Sequence, residues 1–198
     1  MGSYYYLAAQ LPYLVYGQDL PMSPGSFKAL ARDTMSSADA AVLDYCTLDP
    51  VPPEPGESGA AYINPPGRTQ SDFINSWKEW ERALRLNLAR IRNQRLGRET
   101  GNLADAPEHP AAAAAAAKTA MALESPLDAE IFLDKARWDA IENFQGINSF
   151  SENAMYAYLL KLLLMERRMA FKTEEGFTEY KRLYAAILGS ETSFGEAK

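Results

Sequence analysis

SENAMYAYLLKLLLMERRMAF, residues 151–171, is apolar on nearly every side of a helix yet carries Lys161 in its middle. Its length decides what kind of helix it is. The part most like a membrane span, residues 154–165, falls far short of the roughly 18 to 20 apolar residues that a bilayer requires. Glu166, Arg167 and Arg168 follow it directly. The stretch therefore predicts a helix buried inside a soluble protein, capped by Ser151 and left with only a narrow polar stripe of Lys161 and Arg168. Other helices must cover the rest, so Leu159, Leu162 and Leu163 are expected in one core with Trp77, Trp80 and Trp138.

The chain supplies such helices on both sides of this stretch. Upstream, SPLDAEIFLDKARWDAIENFQG starts at Ser125 with Pro126 in the first turn and stops at Gly146. Downstream, TEEGFTEYKRLYAAILG begins at a Thr173 cap and places Phe177, Tyr180, Tyr184 and Ile187 on one face. The longest amphipathic segment is TQSDFINSWKEWERALRLNLARIRNQRLG, capped at Ser71 and closed by Gly97. Its Phe73, Trp77, Trp80, Leu84, Leu88 and Ile91 recur every three or four residues and share one stripe. AAAAAAAKTAMAL has high helix propensity and little packing specificity, so it suits a plain spacer and a closely approached helix equally. Near the N-terminus, Ser23 with Pro24 and then Ser37 mark two short helices. Tyr4, Tyr5 and Tyr6 suit a strand or a first helical turn alike. The expectation is an all-α, or nearly all-α, bundle of six to seven helices in a single domain, residues 1–198, with an optional short N-terminal strand. A connector with six prolines and three glycines occupies residues 49–68, and a polar one occupies 98–110.

Composition narrows the function classes. With 198 residues the chain is long enough to bury about 70% of its unfolded surface. Its 47% hydrophobic and 23% charged content argues against disorder. A formal charge of −6 argues against wholesale binding to nucleic acid or anionic lipid. Cys46 is the only cysteine, which excludes an internal disulfide framework. The start MGSYYYLAAQLPYLVYG lacks the basic region of a secretory leader, so the cytoplasm is the expected compartment.

Catalytic motifs are missing. His109, the only histidine, sits beside Pro110 at a predicted helix start, and Cys46 has no second histidine to pair with. There is no phosphate-binding loop, no dinucleotide fingerprint and no metal-ligand spacing. No cofactor is expected, and a site built from carboxylates alone is the one catalytic chemistry the residues leave open.

Two acids and one run of arginines stand out. Asp134 shares a helical face with Leu127, Ile131, Trp138 and Ile141, and Glu166 lies in line with Met155, Leu159, Leu162 and Met169. A charge on an apolar stripe has to be matched, either by an arginine within the domain or by a bound partner. Between Arg82 and Arg98 there are six arginines and no acid, and the aromatic stripe turns basic at its end, where Arg95 and Arg98 continue the line of Ile91. Arg90, Arg92, Arg95 and Arg98 are thus candidates for docking to an acidic protein surface. A solvated helix face and a nucleic-acid contact are the competing readings.

FSENAMYAYLLKLLLMERRMAF followed by TEEGFTEYKRL resembles the last helices of the d subunit of the V/A-type ATPases. Tyr158, Leu159, Lys161, Glu166 and Arg168 stand near the matching places of that family's penultimate helix, whose asparagine is absent here. SYYYLAAQLPYL, FINSWKEWERALRLNLARIRNQRLGR and ARWDAIENFQGINSFSENAMYAYLLKLLLMERR are similar to a short uncharacterised family encoded in bacterial V-type ATPase gene clusters, in the slot where the d subunit would be expected. The resemblance implies a reduced, non-catalytic helical adaptor between the membrane rotor ring and the proteins of the central shaft, serving proton or sodium transport. It would meet the membrane's cytoplasmic face only through the complex. An assembly factor for the rotor is the alternative, and an enzyme with a carboxylate-only site is the third class.

Overall fold

The computed structural model describes residues 4–49, 69–98 and 110–169. Five serines start helices here by one local device: each side-chain oxygen accepts a hydrogen bond from a backbone N–H three residues on, which satisfies a donor the helix leaves open. Ser23 Oγ takes Ser26 N at 3.0 Å and starts α2, Pro24–Thr34. Ser36 Oγ takes Asp39 N at 3.2 Å and starts α3, Ser37–Val42, so the cap lies one residue before the expected Ser37. Ser71, Ser125 and Ser151 act likewise for α4, Asp72–Arg95, α6, Pro126–Gln145, and α7, Glu152–Met169. Two further helices complete the set, α1, Tyr5–Gln10, and α5, Ala111–Ala122, and a 3-10 turn, Leu43–Tyr45, extends α3. The described residues contain these seven α-helices and no strand, so the protein is all-α. The optional N-terminal strand is corrected to helix: Tyr5 and Tyr6 open α1, and no neighbouring strand is there to pair with them. Most of the connector at 49–68, the polar connector with His109, and the Thr173 helix lie outside the described residues.

α7 is covered from two sides, by α6 and by α2. Antiparallel α6 reaches it through Lys161 and Glu142 near one end and Arg167 and Glu130 near the other. This explains its apolar circumference: Met155, Tyr156, Ala157, Leu159, Leu160 and Leu162 are all buried. Lys161 is tolerated because its ammonium sits over the Trp138 ring, 5.0 Å from the centroid, and reaches Glu142 at 3.1 Å. Two tyrosines tie α7 to the N-terminal third. Tyr156 donates to the Asp39 carbonyl at 3.1 Å, and Tyr158 donates to the Pro12 carbonyl at 2.8 Å. Among the described residues no helix is long and apolar enough to cross a membrane.

On the other side of α6, α4 packs against both α6 and α5. Ala113, Ala116, Ala117 and Ala120 are buried and repeat at helical spacing, so the alanine run is the close-approach surface and not a free spacer. Trp77 and Trp80 stack at 5.9 Å between centroids with planes 16° apart.

Leu159, Leu162, Trp77, Trp80 and Trp138 share one buried cluster, while Leu163 is only partly buried at its edge. Leu162→Ala is accordingly expected to cost about 2 to 5 kcal/mol. Leu163→Ala should cost about 1 kcal/mol, because its open side lets water reach the truncated site. Urea unfolding of the two variants checks this, and equal losses would place Leu163 in the core after all.

Candidate functional site

Among the described residues no three His, Cys, Asp or Glu side chains come together as a metal site. Cys46 is buried, with Sγ 3.8 Å from the Val42 carbonyl, and burial pushes its thiol up to about 12. A nucleophile needs the thiolate, which this environment suppresses. Alkylation of the folded protein by iodoacetamide at pH 8 should therefore run on the order of a thousandfold slower than in denaturant. Comparable rates in the two conditions would show the thiol to be open.

The buried charge is concentrated where α4, α6 and α7 meet. Arg137 on α6 faces Glu81 on α4 with a two-pronged contact: Nε donates to Oε2 at 3.0 Å and Nη2 donates to Oε1 at 3.2 Å. Arg85, one turn further along α4, donates Nε to the same Glu81 Oε1 at 2.7 Å and Nη2 to the Leu48 carbonyl. On its other side Arg137 Nη1 donates to Asp134 Oδ1 at 3.3 Å. Arg167 of α7 lies with Nε 4.0 Å from that oxygen and donates Nη2 to Glu130 Oε2 at 3.0 Å. The order Arg85, Glu81, Arg137, Asp134, Arg167, Glu130 alternates in sign and balances to zero. Burial works against the Arg137 charge, but Glu81, Asp134 and Glu130 outweigh it and raise its pKa. For Asp134 burial prevails, raising its carboxyl above the ordinary aspartate value despite Arg167 and Arg137.

Of the two acids singled out in the sequence, Asp134 is therefore buried and matched by arginine within the domain. Its stripe is core only from Asp134 onward, since Leu127 and Ile131 are open to solvent. Glu166 requires correction, because it is exposed. The last turn of α7 turns Arg167 toward α6 and stacks Arg168 on Tyr16, 4.8 Å from the ring centroid. The stripe of Met155, Leu159 and Leu162 runs out of neighbours before Glu166 and the exposed Met169. Glu166→Ala should change stability by no more than about 0.5 kcal/mol in urea. A loss of several kcal/mol would restore the buried-pair expectation.

Glu81 and Arg137 were not apparent as a pair, because their positions differ by 56 residues. The signal was local in each case: Glu81 lies four residues after Trp77, and Arg137 lies four before Ile141.

The six-arginine run divides in two. Arg82 pairs with Glu79 at 3.0 Å, Arg85 joins the network, and Arg90 Nη2 donates to Asn87 Oδ1 at 3.2 Å, leaving Arg90 Nε buried without a hydrogen bond. Arg92, Arg95 and Arg98 are exposed, and no carboxylate of the described residues pairs with them. The helix ends there in a closed turn: Gly97 has φ 62°, its N–H donates to Gln94 O at 3.2 Å, and Arg98 N–H donates to Asn93 O at 2.9 Å. Of the four docking candidates, Arg90 is therefore partly committed inside, and the other three present their charge outward.

Fold and charge together define an all-helical body cross-linked by buried ion pairs, with a basic end on its longest helix. No family model, curated protein or solved structure matches the chain.

Proposed function

We propose that this chain is a non-catalytic component of a V-type ATPase or ATP synthase, similar to the d subunit, acting as an adaptor between the membrane rotor ring and the central shaft in proton or sodium transport. The observation that carries the reading is the fate of the buried charge. Glu81 and Asp134, the buried carboxylates of the described body, are held by arginines, and the resulting chain of ion pairs links three helices. A carboxylate held this way is a poor general base, since a proton taken from substrate would have to displace an arginine contact. A part that transmits torque gains from such links, because helices joined by matched buried charges resist sliding past one another. The likeness of residues 151–171, and of the N-terminal and α4 stretches, to proteins of V-type ATPase gene clusters supports the choice of machine. An assembly factor that holds rotor parts before they join would use the same surfaces.

Affinity purification of the intact ATPase in mild detergent, followed by mass spectrometry, separates the two. An adaptor stays in the finished complex at fixed stoichiometry, whereas an assembly factor is present only in partial complexes. Absence of the chain from both kinds of complex would end the proposal.

A further inference from the structure

We infer that the capped end of α4, carrying Arg92, Arg95 and Arg98 around the exposed Leu96, is a docking surface for an acidic segment of a partner protein. It rests on the rotary-ATPase reading only for where that partner is first sought. Three observations point to this occupant.

The charge is unmatched. Arg82 and Arg85, earlier in the same run, each find a carboxylate, but the last three arginines have none among the described residues, on a chain whose formal charge is −6. Arg92 and Arg95 lie in the last helical turn, where they favourably oppose the helix dipole, yet that effect needs no third arginine past the cap and no apolar side chain among them.

The end is also shaped. The bonds from Gly97 and Arg98 to Gln94 and Asn93 fix the backbone of Arg98, so its charge is carried on a closed turn and less ordering entropy is lost on binding. Leu96, 63% exposed, supplies an apolar contact at the centre of the basic end.

Finally, the cations are all arginine. A guanidinium grips a carboxylate with two parallel hydrogen bonds, which a lysine cannot do. Phosphate accepts the same fork. A nucleic acid, however, is held through a longer run of phosphate contacts than three side chains supply, and the net negative chain repels it. A protein carboxylate beside an apolar residue fits both Leu96 and the arginines.

The test is site-specific cross-linking with the full-length chain in its own cells. Leu96 is replaced by photoreactive benzoylphenylalanine, and the adduct is mapped by mass spectrometry, with and without Arg92→Glu, Arg95→Glu and Arg98→Glu. The expected adduct is on a segment of another protein with at least two Asp or Glu residues within about one helical turn of the cross-linked residue, and an adduct within the chain itself would overturn the inference. Its yield should fall about tenfold or more in the charge-reversed chain, and in extracts as salt is raised, while the circular dichroism spectrum stays unchanged. No adduct, an adduct on nucleic acid or on an acid-free segment, or a yield indifferent to charge reversal would overturn the inference. An acid-bearing adduct on a protein outside the rotary ATPase would sustain the docking surface and sink the rotor proposal. A chain that copurifies with the ATPase but whose cross-link ignores charge would do the reverse.

Discussion

Arg137→Met is expected to destabilise the protein by about 3 to 5 kcal/mol, because it leaves the Glu81 and Asp134 carboxyl groups buried without their shared partner. Arg137 is 4% exposed and bridges the two carboxylates, so water cannot take its place without opening the contact between α4 and α6. Methionine keeps most of the aliphatic stem, which separates loss of charge from loss of packing. The control is the triple replacement of Glu81, Arg137 and Asp134 by leucine, methionine and leucine. It removes the charges together and should be far milder than the single change, since buried ion pairs are often no more stabilising than well-packed apolar residues. In the triple variant Arg167 keeps Glu130, and Arg85, which loses Glu81, is partly exposed and can turn to solvent. Urea midpoints of the two variants decide the matter. A single variant as stable as the wild type would mean that the network contributes nothing to holding the helices.

Trp77→Ala should cost about 3 to 5 kcal/mol, on a different ground. Trp77 is 1% exposed, stacks on Trp80, and directs its indole N–H toward the Thr47 carbonyl at 3.5 Å. Truncation removes the largest fully buried side chain among the described residues and leaves a cavity beneath α4, and close-packed helices cannot shift far enough to fill it. Typical domains are stable by only about 5 to 15 kcal/mol, so this loss takes a large share of the total. Trp77→Phe, which keeps most of the volume, should recover more than half of it. If both variants unfold at the wild-type urea concentration, the stripe of α4 is not the core.

What was legible in the sequence was what a few consecutive residues decide. Ser23, Ser71, Ser125 and Ser151 each cap a helix through a bond to a residue three further on, and Gly97 and Gly146 each close one with positive φ. The starts of α2, α4, α6 and α7 could be read for that reason; α3 starts from Ser36, one residue before the expected Ser37, and α1 has no side-chain cap to announce it. The stripe from Phe73 to Leu88 was equally plain, because burial there repeats with the helical period. Periodicity does not reveal where a stripe runs out of neighbours. Glu166 and Asp134 looked alike as charges on apolar faces, yet Asp134 is buried beside Arg137 of α6 and Arg167 of α7, while the end of α7 leaves Glu166 in water. The pairing of Glu81 with Arg137 depended on which helices become adjacent, which no spacing within either helix encodes. The division of the arginine run followed from the same adjacency: only the arginines within reach of Glu79, Glu81 and Asn87 were drawn inward.

The central claim, that this chain couples a rotary ATPase and performs no chemistry of its own, is tested most directly by measuring coupling in its absence. Inverted membrane vesicles from cells lacking the chain would be assayed for ATP hydrolysis alongside ATP-driven proton and sodium uptake. Hydrolysis is expected to persist while uptake of the transported ion is lost, and purified chain added back should restore uptake without raising hydrolysis. Undiminished, fully coupled transport in vesicles without the chain would contradict the claim.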